Sequence, residues 1–310
     1  MEKCVLAIMG PTASGKSSLA VEIAKSVNGE IISADSAQIY KDLKIITART
    51  TEDEMGGIPH HLSGFLELDH DFSVAEFMDE ARRCMADIVG RGKVPVVAGG
   101  TGLYIKSLLE DYQIPSVPAD NEFREQMKQR ALNEGGGVLY GELTDADPDA
   151  AARIHPNNVQ RVIRALEVIK YTGKPFSFFC RRGMEGPLGL KVHSFGITYP
   201  KEILHDRINR RVDLMMDSGA IGEIEAVIAM GKKNRLETLK ILGTREIISI
   251  LEGKCTKKEG IELIKRNTRR YAKRQLTWFK SHKDLQWIDM EGGETEKQAD
   301  TIRRMLGMYK

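Results

Sequence analysis

Short runs of β-branched and aliphatic residues alternate with helical patterns over the first hundred residues. The runs predict three strands, at Lys3–Met9, Glu30–Ala34 and Val94–Ala98. Ser73 followed by Glu76 is a capping-box pattern, which predicts a helix that ends near Val89. Because a parallel neighbour is usually reached through a helical crossover, this alternation predicts an α/β fold with helices on both faces of a parallel sheet.

Residues 112–190 lose the alternation and show proline-rich turns and short helical patterns. Asp147 before Pro148 predicts a helix start, and another helix is predicted from about Val159 to Tyr171. A last strand is predicted at Val192–Tyr199, and later helices are expected to start near Lys201, Thr244, Lys257 and Glu294. The chain is therefore divided into a core, residues 1–111 and 191–310, and a helical insertion domain, residues 112–190.

The composition excludes several classes of protein. The chain has 310 residues, of which 41% are hydrophobic and 29% charged, so it is long and apolar enough to form a core and is not disordered. No apolar run approaches the roughly 20 residues of a membrane span, so we expect a cytoplasmic chain without membrane contact. The four cysteines are far apart and form no CxxC pair, so we expect neither a zinc site nor disulfides.

Positive charge is concentrated near the C-terminus, although the net charge is only +2. Residues 257–283 contain ten Lys or Arg and two Glu. Thr256 and Glu259 predict the start of a helix there, with cations on one side and Ile264, Ala272 and Phe279 on the other. Composition alone fits a surface for a polyanion and a solvated helix face equally well.

The segment Gly10-Pro11-Thr12-Ala13-Ser14-Gly15-Lys16-Ser17 matches the P-loop pattern and follows a predicted strand. Its glycines let backbone N–H groups and a helix N-terminus converge on phosphate oxygens, Lys16 supplies a positive charge, and the Ser17 hydroxyl can bind Mg²⁺. A chance glycine-rich turn is the less favoured alternative, because the strand-loop-helix context is also present. The pattern predicts a P-loop NTPase-like core that binds a phosphate chain.

Two further loops follow predicted strands of the same sheet. Asp35 begins Asp35-Ser36-Ala37-Gln38-Ile39-Tyr40, and Thr101 lies in Ala98-Gly99-Gly100-Thr101-Gly102-Leu103-Tyr104. Because ligands of parallel sheets bind at the carboxyl ends of the strands, we expect both loops beside the P-loop. The Asp35 carboxylate is a candidate for ordering a metal or accepting a proton, although it would also suit the cap of a turn.

Several segments resemble those of the tRNA dimethylallyltransferase family, also called tRNA isopentenyltransferases, of the bacterial type. They are GPTASGKS, DSAQIY, IPHHL at Ile58–Leu62, FSVAEF at Phe72–Phe77, GGTGLY, DPDAAARIHPNNVQRVIRALEV at Asp147–Val168, and RYAKRQLTWF at Arg270–Phe279. The resemblance covers nearly the whole chain in order. It implies transfer of a dimethylallyl group from dimethylallyl diphosphate to N6 of the adenosine just 3′ of the anticodon, in tRNAs that read codons beginning with U.

The resemblance also implies roles for individual residues. Asp35 would be the base on N6, Thr101 a polar contact near the reacting groups, and Arg211 a cation on the diphosphate. The diphosphate-binding residues would be Gly10, Thr12, Ala13, Ser14, Gly15, Lys16 and Ser17, with Mg²⁺ held by Ser17. We expect a monomer that binds the anticodon stem-loop of tRNA and dimethylallyl diphosphate.

By the same resemblance, four groups of residues would contact the tRNA. Two are Asp35, Ser36, Ala37 and Gln38 with Thr101, and Phe123 of the insertion. The others are Gln160, Arg161, Val162, Ile163 and Arg164, and the basic segment with Lys273, Arg274, Gln275, Trp278 and Lys280. Two segments depart from the family pattern, Lys44–Thr50 and Leu242–Glu246, and both affect the expected tRNA contacts rather than the diphosphate site.

Three alternatives remain. A small-molecule kinase would share the P-loop and use Asp35 on an acceptor hydroxyl, but it leaves the basic segment without a role. An enzyme that prenylates free adenine nucleotides would use the same site without an RNA surface. A non-catalytic RNA-binding module would not need the P-loop, Asp35 and Thr101 together.

Overall fold

A computed structural model describes residues 3–115, 117–180, 186–282, 284–291 and 295–308. Its strands are β1 Cys4–Met9, β2 Gly29–Ser33, β3 His60–His61, β4 Val94–Gly99, β5 Lys191–Thr198 and β6 Gln286–Asp289. They form one sheet in the order β3-β2-β4-β1-β5-β6, in which every neighbouring pair is parallel. The predicted α/β fold with a parallel sheet is confirmed.

The helices of the core that precede the insertion are α1 Lys16–Ser26, α2 Glu52–Met55, α3 Val74–Gly90 and α4 Gly102–Leu109. Those of the insertion are α5 Asn121–Glu134, α6 Gly136–Ala146, α7 Pro148–Ala151, α8 Val159–Thr172 and α9 Phe176–Phe179. After β5 come α10 Lys201–Asp217, α11 Ala220–Ala229, α12 Lys233–Leu239, α13 Thr244–Leu251, α14 Lys257–Lys280 and α15 Thr295–Met305.

The four predicted strands and the predicted helix starts agree with the structure within a few residues. The capping boxes at Ser73 and Thr256 form as expected. The expected start at Glu294 and the charged end of the basic segment at Lys283 lie outside the described residues. The prediction that β5 is the last strand is wrong, because β6 pairs with it at the edge of the sheet.

Apolar residues on both faces hold the sheet. The run Cys4–Met9 is buried throughout, as is typical of a central parallel strand covered on both sides. Helices α1 and α15 cover one face, and α3 and α4 cover the other together with Phe279 of α14. Helices α10, α11 and α13 build a further apolar cluster with Ile39, Leu43 and Leu68, and the insertion helices have an apolar core of their own.

Within the described residues, no helix combines the length and apolar composition that a bilayer crossing requires.

A buried carboxylate fixes the edge of the sheet at β2 and β3. Glu30 is 2% exposed and accepts hydrogen bonds from Arg91, Lys93 and His61. The hydrogen bonds from Arg91 are the main reason that the pKa of Glu30 lies far below its usual range; those from Lys93 and His61 act in the same direction, and burial opposes them. His61 is therefore used for this ion pair, and His60 bonds to the Ile58 carbonyl, so the two histidines do not form a metal-ligand pair.

We predict that Glu30→Gln lowers the free energy of unfolding by about 2 kcal/mol at pH 7, since charge-assisted hydrogen bonds are lost while the shape is kept. Because the pKa of Glu30 is lower in the folded protein, its ion pairs stabilise the fold fully above the unfolded pKa of about 4.3. This contribution is lost as the pH falls through the pKa of the folded state. The difference between the two proteins should therefore shrink below about pH 4 in denaturant titrations. Glu125→Gln, which alters an exposed pair with Lys128, serves as the control and should change stability by less than about 0.5 kcal/mol.

Candidate active site

The loops that follow β1, β2 and β4 meet at the carboxyl edge of the sheet. The Ala34 amide donates to the Ala98 carbonyl at 2.8 Å, and the Thr101 amide donates to the Ala34 carbonyl at 3.1 Å. The Ser36 amide donates to the Thr101 hydroxyl oxygen at 2.9 Å. These bonds extend the pairing of β2 and β4 past the strand ends, so that Asp35 and Thr101 lie beside each other as predicted.

The P-loop has the backbone geometry that its glycines allow. Gly15 has φ +81° and directly precedes α1, and Gly10 is so close to Ser14 that a side-chain Cβ there would lie 2.8 Å from the Ser14 hydroxyl oxygen. Arg207 of α10 supports the loop from outside: its Nε donates to the Ala13 carbonyl at 2.8 Å, and its guanidinium lies 4.8 Å from the centre of the Tyr199 ring. A helix N-terminus and a loop held by these contacts thus have the geometry that an anion site requires.

Lys16, Asp35 and Arg211 form a partly desolvated charge cluster beside the P-loop. Lys16 is buried, and this burial is the main reason that its pKa falls to about 8. The Asp35 carboxylate opposes this shift, and the positive charge of Arg211 adds to it. Burial also lowers the pKa of Arg211, again opposed by Asp35. Two cations held in a poorly solvated place attract an anion more strongly than they would in water.

A cavity of about 450 Å³ extends from this cluster, and its lining combines charged and polar groups with apolar side chains. Besides the charge cluster, Thr12, Lys240 and Arg274 contribute polar or charged groups. The apolar lining includes Ile46, Ile208, Val212, Met215, Leu239, Ile241 and Leu242, most of which belong to one hydrophobic cluster. A ligand that joins an anionic group to a short hydrocarbon chain matches this lining.

A second, much smaller cavity of about 20 Å³ lies under the P-loop, with Ser17, Asp35 and Gln38 among its lining residues. It has room for about one water-sized species. Its hydroxyl, carboxylate and amide oxygens are the donors that Mg²⁺ prefers, and Mg²⁺ usually completes its coordination with substrate phosphates and waters. The residues therefore fit the expected magnesium ion.

Gln38 and Arg211 also bind the segment that departs from the family pattern. The Gln38 amide donates to the carbonyls of Thr47 and Ala48, and Arg211 donates to Ala48 at 3.4 Å. From the other side, the Glu223 carboxylate accepts from the backbone amides of residues 44–46. Because the Gln38 amide nitrogen is used within the protein, this side chain forms part of the wall of the site.

The basic helix α14 crosses the same rim. Arg270, Lys273, Arg274 and Lys280 are exposed on it, and the half-buried Trp278 packs against Gly102, where any side chain would overlap the indole. Gln275 differs from these neighbours: it is 7% exposed, and both ends of its amide bind backbone groups of the protein. Its side chain therefore does not belong to the exposed surface expected to contact tRNA.

The insertion presents part of the predicted tRNA-contact segment on its surface. Gln160 and Arg161 are exposed, whereas Val162 and Ile163 are 1% and 3% exposed in the apolar core of the insertion, so their side chains cannot face an RNA. Arg164 pairs with the buried Glu167 at 2.5 Å, together with Arg124. Phe123 is half-buried, with the Lys170 ammonium 4.4 Å from its ring centre.

Sequence reasoning missed the contributions of Arg207 and Glu223 to the site. It named Gln275 as a tRNA contact but missed that this side chain is buried. Arg207 has a sequence signal, because it lies one turn before Arg211 on the same helix face. Glu223 and Gln275 reach their partners across more than 170 residues of sequence and carry no local signal.

Comparisons with known proteins identify relatives over the full chain. The family model described as IPP transferase matches residues 38–282, and that described as isopentenyl transferase matches residues 3–61. A tRNA dimethylallyltransferase of Carboxydothermus hydrogenoformans is 44% identical over 99% of both chains, and one of Acetivibrio thermocellus is 45% identical over 95% of this chain and 94% of that one.

Two solved structures share the fold. The tRNA isopentenylpyrophosphate transferase of Bacillus halodurans has a TM-score of 0.73 at 38% identity, covering 99% of this chain and 96% of that one. A eukaryotic dimethylallyltransferase acting on tRNA has a TM-score of 0.78 at 29% identity, covering 100% of this chain and 81% of that one.

The lowered pKa of Lys16 predicts a pH dependence of anion binding. Above about pH 8, Lys16 of the ligand-free protein loses its proton, so the affinity for inorganic diphosphate should fall by up to tenfold per pH unit. Lys16→Met should bind diphosphate weakly, and its affinity should lack the decrease caused by deprotonation of Lys16. Calorimetry between pH 7 and 9.5 measures both proteins. The same pH dependence in both proteins would show that another group is responsible.

Proposed function

The chain belongs to the IPP transferase family, to which the tRNA dimethylallyltransferases belong, and we propose that it transfers a dimethylallyl group from dimethylallyl diphosphate to N6 of the adenosine beside the anticodon of tRNA. The observation that carries this proposal is the cavity that joins the P-loop, Asp35 and an apolar compartment. All of these groups come from one chain, which is consistent with a monomer as the acting form.

The cavity suits this donor better than a nucleoside triphosphate. The diphosphate would bind the P-loop amides, Lys16 and Arg211, and the five-carbon chain would lie among Val212, Ile241 and their apolar neighbours. A ribose and base placed against these apolar side chains would leave polar groups without hydrogen-bond partners, which is costly. The small-molecule kinase is therefore the weaker interpretation.

The reaction is a displacement at C1 of the dimethylallyl group. The N6 lone pair forms the new bond to C1, the C1–O bond breaks, and its electron pair leaves on the diphosphate. The N6 proton passes to the Asp35 carboxylate. This proton transfer compensates for the low nucleophilicity of an amine conjugated with the purine ring. Lys16 and Arg211 stabilise the negative charge that develops on the leaving oxygen.

The Ser17 hydroxyl would hold magnesium, which would neutralise further negative charge on the diphosphate. The exposed side of α14 would bind the tRNA backbone through Arg270, Lys273, Arg274 and Lys280. Gln160 and Arg161 would extend this surface onto the insertion.

Incubation of the protein with labelled dimethylallyl diphosphate, Mg²⁺ and either bulk tRNA or AMP tests the proposal. We expect label in tRNA, release of diphosphate and no consumption of ATP. Label in AMP instead would favour the free-nucleotide enzyme, and ATP hydrolysis coupled to turnover would restore the kinase.

We predict that Asp35→Asn lowers the chemical step by roughly 10²-fold or more, because the amide cannot accept the N6 proton. Asparagine keeps the Oδ1 atom that accepts from the Ala37 amide at 3.0 Å, so the local turn and the tRNA affinity should change little. Single-turnover kinetics and tRNA binding measure the two effects separately. Loss of tRNA affinity with intact chemistry would make Asp35 a contact rather than a base.

A triple change, Arg270→Ala, Lys273→Ala and Arg274→Ala, should weaken binding to all tRNAs alike. It should also flatten the slope of log affinity against log salt by about one unit per lost phosphate contact. Lys257→Ala with Lys258→Ala, two exposed cations at the other end of α14, is the matched control and should keep the slope. An unchanged slope in a triple variant with a normal melting curve would contradict a role for this surface.

A further inference from the structure

Gln275 lies in the last third of the basic helix α14 but faces away from its cationic side. Its neighbour Arg274 is exposed, whereas Gln275 is 7% exposed and points into the rim of the sheet. A buried polar side chain that makes no hydrogen bond is destabilising, so its partners indicate what it does. Both partners belong to loops of the candidate active site.

The two ends of the Gln275 amide join these loops. Its Oε1 accepts from the Thr12 amide of the P-loop at 2.9 Å, and its Nε2 donates to the Gly100 carbonyl at 2.9 Å. Gly100 permits the approach, because a side chain there would overlap Nε2. One rigid group therefore sets the distance between the loop that would hold diphosphate and the turn that carries Thr101.

We propose that Gln275 is a positioning residue for the diphosphate site and not a contact of the tRNA. The proposed function is needed to say that one loop binds the prenyl donor and the other lies beside the accepting adenosine. The positioning of the P-loop by Gln275 does not depend on it. Helix α14 then has two separate roles: its exposed side would meet the RNA, and its buried side holds Thr12 in place through a single amide.

An amide of this length satisfies both partners at any pH, because one needs an acceptor and the other a donor. Methionine has nearly the same shape but would leave the Thr12 amide and the Gly100 carbonyl without these bonds. Glutamate offers the acceptor at any pH. It offers the donor only when its carboxyl is protonated, and when ionised it places negative charge beside the anion site.

The first test compares Gln275→Met with Lys273→Ala, an exposed change two residues away on the same helix. Binding of inorganic diphosphate with Mg²⁺ and binding of bulk tRNA are measured on each. For Gln275→Met we expect roughly tenfold weaker diphosphate binding and tRNA affinity within about twofold. Lys273→Ala should show the opposite pattern. Weakened tRNA binding with unchanged diphosphate binding in Gln275→Met would overturn the proposal.

The second test uses Gln275→Glu and does not depend on the methionine variant folding. Burial at this position should raise the pKa of the introduced carboxyl above its usual value of about 4.3. The ratio of the variant's diphosphate affinity to that of the unmodified protein should therefore be low at pH 8 and should rise toward one as the pH falls to 5, because protonation removes the negative charge and restores the donor to Gly100. A ratio near one at both pH values would mean that the side chain only fills space, and would overturn the proposal. Neither binding measurement requires prenyl transfer, so failure of the labelling assay would reject the proposed function alone.

Discussion

Parallel pairing of β1, β2 and β4 is the constraint on which the site depends. Because the three strands run in one direction, the loops after them must all emerge at one edge of the sheet. The bond from Ser36 to the Thr101 hydroxyl and the bond from Thr101 to the Ala34 carbonyl then fix these loops to each other. An antiparallel strand at any of the three positions would carry its loop to the opposite edge.

Desolvation gives this edge its chemical character. Burial lowers the pKa of both Lys16 and Arg211, and Asp35 partly compensates in each case. The positive charge of Arg211 lowers the pKa of Lys16 further, and that of Arg207 lowers the pKa of Arg211. In the protein without ligand, two like charges in a poorly solvated place have an unfavourable electrostatic free energy. An anion that binds between them relieves this repulsion and so binds more strongly. The apolar side chains of the cavity cannot supply such charge stabilisation, so the cavity favours a ligand that combines a charged group with a hydrocarbon part.

Much of this arrangement was predictable because it depends on local patterns. The P-loop, the buried run of β1 and the capping boxes at Ser73 and Thr256 each lie within a few consecutive residues, and each forms as expected. The short edge strand β6 was missed, because a strand of four residues that pairs with one neighbour has no distinctive hydrophobic pattern in the sequence. The family resemblance assigned Val162 and Ile163 by position, but a helix that contacts RNA must also turn one face toward its own core.

Helix α14 shows why contact segments cannot be read as uniform stretches. At 3.6 residues per turn, adjacent positions point about 100° apart, so Arg274 and Gln275 face different environments although they are neighbours in sequence. Trp278 and Phe279 separate in the same way, one against Gly102 and the other in the core of the sheet. A helix that lies across the rim can thus bring a cationic surface within one helix diameter of the P-loop, and each side can change without altering the chemistry of the other.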